Sequence, residues 1–187
     1  MSLLGANTLA DGGRSVTMRP AMGVLAELVV LAVVLGLGTF VPAGLPFALY
    51  VVIAQFVATY LVHCPAHYLV GAALGIRFRG MRIGRTTLAR VLPGRLGGIA
   101  RLVPVLSLST QRDSLVNVSK RRAAAMYASG TVASVSSAIA IAIVATSAEP
   151  LAYEALAWAV AVGYLLFDTL FSPRSGDLMR ARLSLRK

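Results

Sequence analysis

Apolar residues in this chain come in long unbroken runs, not at alternating positions or along one face of a helix. Uncharged or nearly uncharged stretches cover residues 21–40, 45–76, 123–147 and 151–171, and each reaches the roughly 20 residues that cross a hydrocarbon core as a helix. Four transmembrane helices are predicted. The second stretch holds 32 residues, about 48 Å at 1.5 Å per residue, which exceeds a core of roughly 30 Å. A tilt, a protrusion or a break must absorb the excess. Pro65 is the natural place for a break, because proline removes one helical hydrogen bond and crowds the carbonyl four residues back.

Residues 77–122 are too many for a simple turn. Within them Ile76-Arg77-Phe78-Arg79-Gly80-Met81-Arg82-Ile83 partly alternates apolar with basic residues, which predicts a strand at the membrane interface. Residues 99–108, rich in Val and Leu around Pro104, offer a second strand and hence a small hairpin. The expected fold is therefore an all-α membrane protein of about four transmembrane helices, with a small membrane-associated β segment between spans two and three. Residues 1–20 read as a polar N-terminal tail. No internal repeat or linker divides the rest, so residues 21–187 form one membrane domain that ends in a C-terminal segment, 172–187.

Composition agrees: 57% of the residues are apolar and 13% charged, and the mean hydropathy is +0.77, far above a soluble domain. The net charge of +11 would invite a nucleic-acid partner, but basic and aromatic residues do not interleave on any polar segment, and that class is set aside. The cations instead report orientation. All 18 Lys and Arg fall before the first run, between Arg77 and Arg122, or after the fourth run, and none lies in residues 41–44 or 148–150. That places both termini in the cytoplasm of a multi-pass cell-membrane protein. The same arginines can meet anionic lipid headgroups or serve topology alone. The first run is longer than a signal-peptide core and reads as a retained span. Asn117-Val118-Ser119 has the pattern of a glycosylation sequon on the cytoplasmic side. The single cysteine, Cys64, allows no intramolecular disulfide.

Chemistry concentrates at His63-Cys64-Pro65-Ala66-His67. Histidines four apart on a helix face the same way and can grip one metal ion, or they can hydrogen-bond carbonyls and serines of neighbouring helices. They cannot occupy opposite axial positions of one haem. Seven acidic residues are available as a third ligand, of which Asp168 and Asp177 fall on the same membrane side as the histidines. Pro173 and Gly176 are expected to turn the chain just before Asp177 and so point its carboxylate back. The small residues Gly130, Ser134, Ala138 and Ala142, spaced by four, read as a helix-packing stripe.

The order of these elements resembles the site-2 protease family of intramembrane zinc metalloproteases over roughly residues 45–182. His63 to Val70 is similar to that family's H-E-x-x-H helix. Gly75-Ile76-Arg77-Phe78 with Ile83-Gly84 resembles the start of its β segment, and Gly130 to Ser134 its next span. Asp168 to Asp177 resembles its final N-x-x-P-x-x-x-L-D-G motif. The resemblance implies zinc held by His63, His67 and Asp177, and transmembrane peptide segments as substrates. Departures are specific. Cys64 stands where the family has its glutamate base, Thr131 and Ser134 replace a proline and an asparagine, Asp168 replaces an asparagine, and Gly176 precedes Asp177 instead of following it. A positioned base contributes about 10²- to 10⁴-fold, so peptidase activity requires a substitute. Asp168 is the candidate, whereas a thiol at Cys64 in apolar surroundings is a poor base. The rival expectation is a non-catalytic scaffold that keeps a structural metal and binds transmembrane segments or lipids. Leu9-Ala10-Asp11-Gly12-Gly13-Arg14 looks like the family's L-D-G-G-R but lies before the first span, away from the motif's context.

The charge distribution makes a direct prediction. In a Cys64→Ala background, cysteines at positions 44 and 149 should react with a membrane-impermeant maleimide on intact cells, and cysteines at 95 and 184 should not. External labelling at 95 would invert the orientation.

Overall fold

The computed structural model describes residues 4–8, 14–85, 104–146 and 151–186. Two short strands come first, β1 (Leu4–Thr8) and β2 (Arg14–Met18). Helix α1 (Pro20–Leu37) follows and ends in a 3₁₀ turn, Gly38–Phe40. Helices α2 (Leu45–Leu61) and α3 (His63–Ala73) lead into β3 (Phe78–Arg85). After β4 (Pro104–Thr110) come a short helix α4 (Arg112–Val116), the long α5 (Lys120–Thr146), α6 (Leu151–Ser175) and α7 (Asp177–Arg186).

Three helical segments are long and apolar enough to cross a membrane: Pro20–Phe40, Leu45–Ala73 and Lys120–Thr146. They match the first three predicted runs, and the fourth run is helical as α6. Helix α1 buries only Gly23, Val24 and Glu27. Its Leu25, Leu28, Val29, Val30, Val33, Leu35 and Leu37 are exposed, a surface suited to hydrocarbon and not to water. The Tyr50 hydroxyl donates to the Val34 carbonyl at 2.6 Å and ties the far end of α1 to α2.

The overlong second run is broken as its proline predicts. Pro65 has no N–H to offer the Leu61 carbonyl, and the helix is interrupted at Val62, between α2 and α3. Val62 still donates to Ala58 and accepts from Ala66, so the interruption leaves those backbone groups partnered, as a membrane interior requires.

The sheet is antiparallel throughout, in the order β1-β2-β3-β4. The predicted β3–β4 hairpin forms with Ile83 opposite Leu106 and Phe78 opposite Thr110. Residues 99–103 of the expected second strand lie outside the described residues. The segment read as a polar tail, residues 1–20, is corrected: β2 pairs with β3, Val16 opposite Ile83 and Met18 opposite Met81, and β1 pairs with β2. Short polar strands have little periodic signal of their own, and pairing to a preformed hairpin supplies the order. A second correction concerns Pro173, which does not turn the chain. It sits inside α6, and the turn falls at Gly176, whose N–H donates to the Ser172 carbonyl at 2.9 Å.

The packing seam runs along α5. Ala138, Ala142 and Ala145 join Val51, Ala157 and Ala161 in one buried cluster, where small side chains let backbones approach closely. Gln55 of α2 is fully buried there, and its amide nitrogen donates to the carbonyls of Ala138 and Ala157, both at 3.0 Å. One side chain thereby links α2, α5 and α6. Its Oε1 has no partner among the described residues, which offsets part of the gain. Gln55→Leu is expected to cost about 1 kcal/mol, in the range measured for interhelical hydrogen bonds in membranes, read by unfolding in mixed micelles.

Candidate metal centre

His63 and His67 stand one turn apart on α3, with ring centroids 4.8 Å apart and planes nearly perpendicular. Helical spacing alone aims them in one direction; hydrogen bonds to α5 set their rotation. His67 Nδ1 lies 2.6 Å from the Met126 carbonyl oxygen. A carbonyl only accepts, so Nδ1 carries the proton and donates. His63 Nδ1 lies 3.1 Å from Ser134 Oγ, and that hydroxyl spends its own proton on the Thr59 carbonyl at 2.7 Å. Ser134 therefore accepts, and His63 Nδ1 is the donor. Each neutral imidazole is left with an unprotonated Nε2.

Both of these nitrogens point at Asp177, the first residue of α7. Asp177 Oδ2 is 2.8 Å from His63 Nε2 and 3.1 Å from His67 Nε2, and the two nitrogens are 3.3 Å apart. Three ligand atoms converge, a contact made favourable by a proton on an imidazole facing the carboxylate or by a metal cation among the three atoms. One divalent ion satisfies all three at once, and tetrahedral zinc with bonds of about 2.0–2.1 Å holds its ligand atoms about 3.3–3.4 Å apart. The residues present fit a metal, and the group His63, His67 and Asp177 can hold one, its ligand atoms all lying within 4.8 Å of one another. The N–H groups bound to Met126 and Ser134 are the outer contacts that metal-binding histidines characteristically make.

The elements around the trio explain its geometry. Gly130 of α5 lies against both rings, and a Cβ there would sit 2.9 Å from His63 Cε1 and closer still to His67. Ser172 Oγ accepts from the Leu178 N–H at 3.3 Å, which fastens the start of α7 to α6. Burial works against a charged Asp177, but hydrogen bonds and positive charge from His63 and His67 when their rings are protonated outweigh burial and hold its carboxyl below the usual carboxylate range. The N-terminus of α7 adds a favourable dipole. On the outer side Arg180 Nη1 lies 3.8 Å from Asp177 Oδ1. The His63 side chain is 33% exposed against 11% for His67.

The remaining candidates lie outside the trio. Cys64 is buried, and its thiol points to the Leu106 carbonyl of β4 at 3.5 Å. Asp168 of α6 is half-buried, with its Oδ2 unpartnered among the described residues, and it interacts electrostatically with His63 and Asp177. Thr131, at the position of a motif proline, lies 3.4 Å from Ser172 through their hydroxyls. Gly130, Ser134 and the Met126 carbonyl were not legible as site elements. Their spacing by four announced a packing stripe, and which helix the stripe faces is a tertiary matter.

Comparison with protein-family models, with curated proteins and with solved structures finds no match to this chain.

Metal content should follow the geometry. With zinc as the probe, the full chain is expected to retain about one ion, and Ala at His63, His67 or Asp177 should abolish it, because two ligands rarely hold zinc tightly. Gly130→Ala should weaken affinity about 10- to 100-fold by displacing the imidazoles. Asp168→Ala should leave the ion bound; elemental analysis showing the reverse for the two aspartates would reassign the third ligand.

Proposed function

We propose that this chain is a four-span membrane metallohydrolase of the site-2 protease type, with zinc at His63, His67 and Asp177 and both termini on the cytoplasmic side of the cell membrane. The observation that carries the proposal is the convergence of three ligand atoms, from His63, His67 and Asp177, at one end of a helical segment long and apolar enough to cross a membrane. Two imidazole nitrogens and one carboxylate form a donor set typical of catalytic zinc, whereas magnesium and calcium prefer oxygen alone. The confinement of every Lys and Arg to one set of loops and termini supports the orientation. Helix α6, Leu151–Ser175, supplies the fourth span.

Zinc held here supplies Lewis acidity, polarising a carbonyl and acidifying water. The chain's own residues do the positioning. Met126 and Ser134 fix the two imidazoles, Gly130 leaves room for them, and α7 presents Asp177 in its charged form. Asp168 stands within the field of His63 and Asp177 with an oxygen free to hold a proton or a polar group of the substrate. Apolar outer faces on α1, α2 and α5 favour a substrate that arrives through the lipid, an amide within a transmembrane peptide segment. The absence of a carboxylate at Cys64 favours the second reading, a scaffold that keeps zinc for structure and binds transmembrane segments or lipids.

One experiment separates the two. The zinc-loaded full chain in liposomes, given a membrane-inserted fluorogenic peptide, should cleave it, stop in 1,10-phenanthroline, resume on adding zinc, and fail with His67→Ala. A chain that loses thermal stability on chelation but never cleaves is the scaffold.

A further inference from the structure

Between residues 77 and 122 the sequence holds eleven Lys and Arg against a single acid, Asp113. Five of these cations, Arg77, Arg112, Lys120, Arg121 and Arg122, are exposed, and none forms an ion pair among the described residues. A large apolar side chain stands among them: Val116 is 73% exposed. Orientation of the chain requires only the sign of the charge on this side of the membrane. It does not require an apolar residue held out among the cations.

Hydrogen bonds place these residues at one depth. Gln55 meets Ala138, His63 meets Ser134 and His67 meets Met126, so the segments Leu45–Ala73 and Lys120–Thr146 run side by side in opposite senses. His67 lies six residues before Ala73, and Met126 six residues after Lys120. At 1.5 Å per residue both membrane-crossing segments therefore end level, about 9 Å beyond that bond. Arg77 follows Ala73 by four residues. Its N–H donates to Ser114 Oγ at 2.9 Å, and its carbonyl accepts from the Gln111 N–H at 2.8 Å. These two bonds pin α4, Arg112–Val116, beside the end of one segment, and only three residues separate Val116 from Lys120 at the start of the other. Helix α4 is thus strung between two level span ends, at the border of hydrocarbon and water. Arg112 and Val116, four apart, share one of its faces.

We infer that α4, Arg77 and the first turn of α5 form a docking surface for anionic phospholipid headgroups, with Val116 set among the adjoining acyl chains. The inference rests on the membrane-crossing reading of the chain and is independent of the metal. Charge complementarity identifies the occupant. Guanidinium groups bind phosphate oxygens in pairs, and basic residues beside a span end are drawn to an anionic leaflet. An exposed valine is disfavoured in water and favoured in hydrocarbon, so the same surface takes both parts of a lipid.

Tryptophan quenching tests this with the full chain. Trp158 is the only tryptophan, so Trp158→Phe with Val116→Trp leaves one indole, on α4. The protein is placed in nanodiscs, whose two leaflets are alike, so that orientation has no bearing on the result. The quenchers are phosphatidylcholine or phosphatidylglycerol with brominated acyl chains, and aqueous iodide. Brominated lipid should quench the indole and iodide should not. Phosphatidylglycerol should be preferred about fivefold, the factor for one cation near an anionic surface. That preference should vanish in about 1 M NaCl, which screens charges beyond about 3 Å. It should vanish too when Arg77, Arg112, Lys120, Arg121 and Arg122 are all replaced by Gln with the helical circular dichroism unchanged. Should that variant not insert, Arg112→Gln with Arg121→Gln is expected to lower the preference about twofold or more. Quenching by iodide in place of brominated lipid, equal quenching by the two lipids, or a preference undiminished in the Gln variants would each overturn the assignment.

Discussion

Two imidazole nitrogens and a carboxylate oxygen held about 3 Å apart inside a protein need a proton or a metal cation between them, and the architecture around His63, His67 and Asp177 holds them there. Two imidazoles that turned freely would relax apart. They are prevented by N–H donations to Met126 and Ser134 and by the close approach of Gly130 between those two residues on the same face of α5. The carboxylate would swing to solvent if α7 frayed, but Ser172 fastens the first turn of that helix. Two separate stretches of chain, α3 and α7, are committed to one point in space, fixed by contacts to α5 and α6.

The lipid-facing setting shapes how that commitment is made. Apolar burial does little to drive helices together in hydrocarbon, so close packing and a few hydrogen bonds must do it. The stripe of Gly130, Ser134, Ala138 and Ala142 serves both needs at once. Its upper part seats the alanine cluster with Val51 and Ala157, its middle accepts the imidazole of His63, and its lower end admits the rings. Gln55 adds a polar link among three helices where no water competes.

Span one has a different character. It touches the rest of the protein through three buried residues near its start and through the Tyr50 hydroxyl near its end, with lipid-suited side chains elsewhere. A helix so lightly attached gains little by placing a carboxyl in its narrow contact face. Glu27 lies in that face, buried and with neither carboxyl oxygen hydrogen-bonded among the described residues.

The runs of apolar residues determined the helices by themselves, because a bilayer demands about 20 uncharged residues per crossing and tolerates few exceptions. Pro65 determined where the second run breaks, through the hydrogen bond that proline cannot make. The four-residue spacing of the histidines determined that they share a face. What the tertiary structure decided is everything that depends on which faces meet. Residues 14–18 carry no strong period and form a strand by pairing to β3, and residues 4–8 pair to them in turn. Pro173, which sequence alone would read as a helix end, remained inside α6, and the turn passed to Gly176. Gly130 and Ser134 were legible as small residues for packing, but their duty to the histidines arose from the rotation of α5 against α3. Glu27 was one acidic residue among seven until folding buried it without a hydrogen-bond partner among the described residues. Local chain chemistry fixes an element and its own face, whereas a site built from α3, α5 and α7 exists only once those faces have packed.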